Sequence, residues 1–393
     1  MASALILLLL GLFPALFLSA LQSIVLVVLM ELIWRARSIT RADLRGVLSW
    51  SNLAVWQFLL FFLINATVFT LLPGAWEHVR AVALESWAGT LVASGLLMLW
   101  LQLQEPSALK AALLRWLPVG LALSFGIASW FYVFSYPGER IHIFAPSPLI
   151  PPLWFLIFAL LSFCWFAQMS RLQQMIRLAL FAMAGIMIVY AAARLMMMAW
   201  IASALLLALY ALAASPARVR ARRFMFLLGA VLCALGGVIT ADYMAGGVML
   251  ERFANMQDVR SDPSRWPAEL PRMLLWPAAQ EIISNNWLWG IGQVNERIAL
   301  RTLLEWDHWY RAHQTYLSYL IAGGVPALIS GLLYQLPILQ VLRRKHLAVM
   351  FPAFIGLGVV LSMNAFTDSL FQSAVAVQAY MIASLITLRA AHG

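Results

Sequence analysis

Charge is what this chain has least of. Only 11% of its residues are charged and 63% are hydrophobic, with a mean hydropathy of +0.86, where a soluble domain has about 25% charged and about 45–50% apolar residues. That balance excludes an ordinary soluble domain and predicts an all-α polytopic integral membrane protein. Cysteine is nearly missing as well. Cys164 and Cys233 each lie inside a separate apolar run, which excludes a disulfide framework or a thiolate metal site and leaves two small packing residues. There is no internal repeat, no P-loop, no Gly-x-Gly-x-x-Gly opening a helix, no His-Glu-x-x-His and no Cys-x-x-Cys. Nucleotide-driven transport and zinc chemistry therefore lose their usual sequence support, and no metal or cofactor is expected. A cleavable signal peptide is not expected, since no basic residue precedes the apolar N-terminus and no small-residue cleavage site follows it. The formal net charge of +10 does not point to nucleic acid, because the basic residues are scattered between apolar runs rather than gathered on one face.

What is present is a succession of apolar runs. Residues 2–34 would extend for about 50 Å as helix, too long for one straight span and short for two full ones. Two short helices with a turn near Pro14 are favoured over one long tilted helix. Glu31 reads as an interfacial residue beside Arg35 and Arg37. Further spans are predicted at 48–72, 81–103, 116–136, 148–170, 176–193, 196–214, 224–243, 315–340, 348–366 and 370–388, giving 11 or 12 in all. Short loops on one side carry Arg35, Arg37, Arg41, Arg45, Lys110, Arg115, Arg171, Arg177, Arg218, Arg220, Arg222, Arg223, Arg343, Arg344, Lys345 and Arg389, and the positive-inside rule makes that side cytoplasmic. The one long polar stretch, 244–314, then faces outward. The chain divides into N-terminal spans (1–243), this outer loop with short interfacial helices (244–314), and C-terminal spans (315–393).

The outer loop organises the rest. Arg272, Trp276, Gln280 and Ile283 recur at helical spacing, predicting a short helix over 272–286 that closes at Asn285-Asn286 and lies over the bundle as a lid. The tryptophans and short apolar runs of the loop suit the membrane interface. Three arginines stand apart from the cytoplasmic ones: Arg140 in the outer loop Tyr136-Pro137-Gly138-Glu139-Arg140, Arg194 between two apolar runs, and Arg272. A charge at the junction of two spans costs several kcal/mol unless it snorkels or finds a partner. Arg194 is thus either a snorkelling cap on an outer turn or part of an anion site. Guanidinium forks match phosphate oxygens in pairs, so the three together would hold a polyprenyl pyrophosphate and stabilise it as a leaving group. His313, beside Arg311 at the mouth of a helix, is the candidate general base for a sugar hydroxyl. His308 is a weaker candidate. Asp368 would orient His313, bind a sugar or cap a helix.

At these residues the chain resembles a family. Arg272-x-x-x-Trp276, Asn-Asn-Trp-Leu-Trp-Gly-Ile-Gly at 285–292, His313-Gln314-Thr315-Tyr316-Leu317 and Gly323-Gly324-Val325-Pro326 together look like the signature of the bacterial O-antigen ligase and O-antigen polymerase superfamily. Arg140 ahead of Pro146-Ser147-Pro148 and Arg194 at the start of a mid-chain span are similar to two further family arginines. Gln314 stands where the family usually has asparagine, one methylene longer. The resemblance implies a glycosyltransferase-C-like membrane fold and transfer of glycans from undecaprenyl pyrophosphate, without nucleotide or metal, at the periplasmic face of the inner membrane. It also implies that Arg140, Arg194, Arg272 and Gln314 bind substrate around His313, to which the reading of the residues adds Arg311 and Asp368, with membrane lipids as surroundings and no obligate protein partner. Three activities compete: ligation of O-antigen to lipid A–core, joining of lipid-linked repeat units, and glycosylation of protein hydroxyls. Ligation is favoured because a single outer loop dominates and no room remains for a C-terminal extension. A lipid or glycolipid transporter is the alternative of another class, though no repeat-related pair of broken helices supports it.

Overall fold

The computed structural model describes residues 2–16, 18–47, 56, 59–60, 63, 77–135, 150–191, 193–213, 229, 232, 235–240, 242–243, 247, 270–292, 295–304, 312, 314–343, 345–367 and 374–391. Among them every regular element is a helix. The apolar run 2–34 forms two helices, α1 (Ala2–Leu16) and α2 (Leu18–Trp34). Ser3 Oγ donates to Gln104 Oε1 at 3.1 Å and Gln104 Nε2 donates to Glu31 Oε1 at 3.3 Å. The start of α1 and the end of α2 therefore lie together, and the pair is an antiparallel hairpin rather than one long tilted rod. Glu31 also accepts from Trp100 Nε1 at 2.6 Å and pairs with Arg35 at 2.8 Å, so it ties helix ends together, as its interfacial position suggests.

After the short α3 (Arg41–Val47) come α4 (Glu77–Gln102) and α5 (Pro106–Trp130). The fifth helix begins ten residues before the predicted span because Pro106 supplies the preset φ of a first helical position. Lys110 and Arg115 thus sit on helical turns and not in a loop. α5 packs closely on α1: a Cβ at Gly11 would stand 2.6 Å from the Leu117 carbonyl oxygen and 2.8 Å from Gly120 Cα. Only glycine lets two backbones approach so near. α6 (Ile150–Leu161) has all twelve residues buried and forms the centre of the bundle, with Phe13 edge-on to Trp154 at 5.5 Å. It ends earlier than the predicted 170, where Trp165 takes a left-handed conformation (φ 62°).

Next come α7 (Arg171–Tyr190) and α8 (Arg194–Ala213). Ser170 and Gln173 close a reciprocal capping box that starts α7. Arg177, read from sequence as a loop residue, is a buried residue of α7. It donates Nε to the Ser162 carbonyl at 3.2 Å and Nη2 to that of Leu114. Arg35 reaches the Leu103 carbonyl at 3.2 Å, Lys110 lies 5.2 Å over the Trp165 ring, and the Trp165 N–H donates to Val349 at 3.2 Å. Four of the basic segments assigned to one side by charge are thereby gathered at one end of the bundle. α7 is about 30 Å long, so the turn before Arg194 lies at the opposite end.

The C-terminal half holds α9 (Leu270–Asn286), α10 (Asn295–Leu304), α11 (Thr315–Leu332), α12 (Leu336–Arg343), α13 (Phe351–Thr367) and α14 (Ala374–Ala390). Among the described residues five helical runs are long and apolar enough to cross a membrane: Pro106–Trp130, Arg171–Tyr190, Leu195–Ala213, Thr315–Arg343 and Leu347–Ala365. The fourth is not a straight rod. Gly323 (φ −151°, ψ 23°) and Gly324 (φ 62°, ψ −153°) break α11 in the middle. Gln335 Nε2 donates to the Tyr316 hydroxyl at 2.8 Å, although nineteen residues of straight helix would separate them by about 28 Å. Gly331 leaves room for nothing larger against the Tyr319 ring. The predicted single span 315–340 is therefore a helical hairpin, with a first arm 315–322 folded back along a second arm that runs from 325 to Arg343. The span predicted at 48–72 and most of that at 224–243 lie outside the described residues, as does Cys233. Cys164 is buried and free.

Candidate functional site

The site is built where the polar stretch meets the broken helix. α9 closes at Asn286, as the helical spacing predicts, and its C-terminus is followed by a turn ending in Gly290 (φ 65°) and Gly292 (φ 91°). This turn docks on the break in α11. The Ile291 N–H donates to Ile321 at 2.7 Å, the Gly292 N–H to Ala322 at 2.9 Å, and the Val325 N–H to Trp287 at 3.0 Å. The last carbonyls of the first arm, left without helical partners by the break, are satisfied by the turn instead. A Cβ at Gly290 would lie 2.5 Å from both Gly323 N and the Ile321 carbonyl oxygen. The paired glycines in the two halves of the family-like signature are thus two sides of one backbone contact.

From this anchor α9 runs back along the first arm and α10 leaves in front of it. Leu275, Ala279, Leu300, Ala312 and Ile321 form a small apolar core apart from that of the bundle. The principal partners of α9 are α10 and α11, so the helix expected as a lid over the bundle is instead one wall of a compact subdomain. Trp276 Nε1 donates to the Ala312 carbonyl at 3.1 Å, while the Ala312 N–H donates to Glu296 Oε1 at 3.0 Å. Ala312 is thereby held from both sides. Ser318 Oγ also donates to Glu296 Oε1, at 2.6 Å, and Glu296 is wholly buried. Gln314 is the N-cap of α11: its Oε1 accepts the Leu317 N–H at 3.0 Å. The longer amide therefore performs the capping task that favours asparagine at such positions.

His313, Arg311, His308, Arg140 and Asp368 lie outside the described residues. Arg272 stands in the first turn of α9, one turn before Trp276 and on the same face of the helix. The structure so brings the helix of Arg272 to the residues flanking His313. Arg194 is the first residue of α8, whose principal partner is α13, and among the described residues no principal contact joins that helix to α9. Two acidic residues escaped the sequence reading. Glu296 sits in a polar segment where a carboxylate looks like a solvated charge. Asp242, in a predicted apolar span, is only 2% exposed. As the sole charge in its apolar run, Asp242 did carry a signal, since an ionisable residue within a span points to function by default.

Fold and site together define a polytopic all-α membrane protein with a polar subdomain fastened to a broken helix. Residues 156–332 match the model of the family described as O-Antigen ligase. This segment is just under half of the chain, and the match supports the resemblance to the O-antigen ligase and polymerase superfamily. The match takes in Arg194, Arg272, Glu296, His313, Gln314 and the Gly323-Gly324 break. No curated protein matches the chain.

Proposed function

We propose that the protein is an O-antigen ligase, a glycosyltransferase that moves the glycan from undecaprenyl pyrophosphate to the lipid A–core oligosaccharide. The observation that carries this reading is the family match over 156–332, whose span includes every element that meets at Ala312. In the proposed reaction an acceptor hydroxyl of lipid A–core attacks the anomeric carbon of the donor. The bond from that carbon to the pyrophosphate oxygen breaks, undecaprenyl pyrophosphate leaves, and the hydroxyl proton passes to His313, so the configuration inverts. Arg272, Arg194 and Arg140 hold the pyrophosphate and balance the charge that builds on it. Arg311, Gln314 and Asp368 complete the substrate contacts, Gln314 chiefly by fixing the helix terminus that follows His313.

The protein would sit in the inner membrane with 244–314 in the periplasm and the arginine-rich ends in the cytoplasm. Cysteines at Ser261 and Ser215, in a chain freed of Cys164 and Cys233, should then react oppositely with an impermeant thiol reagent. Reaction of both from outside would sink this orientation. The glycans of a deletion strain test the reaction itself. Polymer that stays on the carrier and is missing from lipid A is the expected result. Single repeat units on lipid A would instead make the protein a polymerase, and unchanged glycans would remove it from this chemistry.

A further inference from the structure

We infer that Glu296 is a positioning residue for His313, holding the chain that delivers the imidazole to the reacting hydroxyl. The inference rests on the reading of His313 as proton acceptor. Glu296 lies in the first turn of α10 and is 0% exposed. A carboxylate taken wholly out of water costs several kcal/mol unless hydrogen bonds replace its hydration. Here one oxygen, Oε1, accepts from two separate elements: the Ala312 N–H at 3.0 Å and the Ser318 hydroxyl at 2.6 Å. The second is a short hydroxyl bond.

Those two donors bracket His313. Ala312 precedes it by one residue, and Ser318 stands one turn into the helix that Gln314 caps. With the Ala312 carbonyl taken by Trp276 and the Ser318 N–H donating to Gln314 at 3.0 Å, the backbone is fixed on either side of the histidine. Ala312 and Gln314 are the two chain neighbours of His313, and both are held by these bonds. Joining α10 to α11 would not by itself call for a buried charge, since a neutral acceptor could take both bonds. The carboxylate gives the stronger, charge-assisted version at the place where a small displacement matters most.

The test uses purified full-length protein with an undecaprenyl-pyrophosphate-linked oligosaccharide as donor and lipid A–core as acceptor. Glu296→Ala should lower kcat by about ten- to a hundredfold, the effect of a displacement near 1 Å, with little change in the KM for donor. Glu296→Gln keeps an acceptor oxygen and should recover most of that loss, remaining a few-fold below wild type. The deciding comparison is with the His313→Ala background, where neither substitution should change the residual rate by more than about twofold, because the group being positioned is gone. A merely structural role would lower the rate equally in both backgrounds. Wild-type kcat in Glu296→Ala, or an equal loss with and without His313, overturns the inference. Should Glu296→Ala fail to fold, Glu296→Gln alone decides it by the same comparison. If His313→Ala itself transfers at the wild-type rate, the reading of His313 falls first, a result distinct from an inactive His313→Ala beside a fully active Glu296→Ala.

Discussion

In the bundle, Gly11 of α1 and Gly120 of α5 bring two long apolar helices into backbone contact. In the subdomain, Gly290 and Gly324 do the same for a turn and a broken helix. The residues are alike and the consequences differ. The Gly11–Gly120 contact sits within a large core of interchangeable apolar side chains, whereas the Gly290 contact is accompanied by a few directed backbone hydrogen bonds. The bundle is thus fastened by the sum of many weak contacts, and the site by a short list of directional ones. Damage to the first should appear as lost stability and damage to the second as lost rate.

The largest expected effect lies at the site. His313→Ala should insert and fold normally yet transfer the glycan about 10²–10⁴-fold more slowly, the usual worth of general-base help. His308→Ala should lose far less. Near-wild-type transfer by well-expressed His313→Ala protein would leave proton removal to Asp368 or water. Next come the glycines. Gly290→Ala places a Cβ 2.5 Å from backbone atoms at a φ of 65°, which undocks the turn from α11 and should lower kcat by about a hundredfold. Its melting temperature should stay close to wild type. Gly120→Ala, pressed against the Leu8 carbonyl and Gly11, should reverse that pattern, with poor yield and low melting temperature but normal turnover per folded molecule. Equal thermal losses in the two variants would erase the distinction between the regions.

The arginines sharpen it at smaller scale. Arg272→Lys keeps the charge and loses the fork, and should lower transfer by about tenfold, the worth of one hydrogen bond to a charged group. Arg177→Lys loses one of two bonds that latch α7 to Ser162 and Leu114 and should show its similar loss, about 1.5–3 kcal/mol, as stability alone. Full activity in Arg272→Lys would return that residue to interfacial snorkelling.

These pairs also mark what was legible in the sequence. Hydropathy located α4, α7, α8, α13 and α14 to within a few residues, except at the early start of α4 and α7, because a long apolar helix declares itself by composition. The hairpin of α1 and α2 and the closure of α9 at Asn286 were readable for similar local reasons. The fold-back of α11 was not read, although Gly323-Gly324 and Pro326 carried the breaking signal, because the flanking residues are apolar enough to pass for one continuous span. Glu296 was illegible for a different reason. Its burial depends on Ala312 and Ser318, sixteen and twenty-two residues away, and nothing local distinguishes it from a solvated charge. Local pattern reports on helices, but the site is made by contacts between segments that each look ordinary alone.

The smallest effect gives the finest test, because the two regions offer the same bond from the same side chain. Trp276 Nε1 donates to the Ala312 carbonyl at 3.1 Å beside His313, and Trp200 Nε1 donates to the Phe181 carbonyl at 2.8 Å inside the bundle. Replacing either by phenylalanine removes one neutral hydrogen bond and leaves an aromatic ring in place, a change of about 0.5–1.5 kcal/mol. At Trp200 the indole N–H is buried, the change should appear in the melting temperature, and kcat should be untouched. At Trp276 the indole is 38% exposed but Ala312 is wholly buried, so a smaller loss of stability is expected there as well. What is lost there is one of the two bonds that fix Ala312, and kcat should fall a few-fold with the KM for donor unchanged. If Trp276→Phe instead lowers the melting temperature as much as Trp200→Phe and leaves kcat alone, Ala312 is an ordinary packing residue and the rate is set elsewhere.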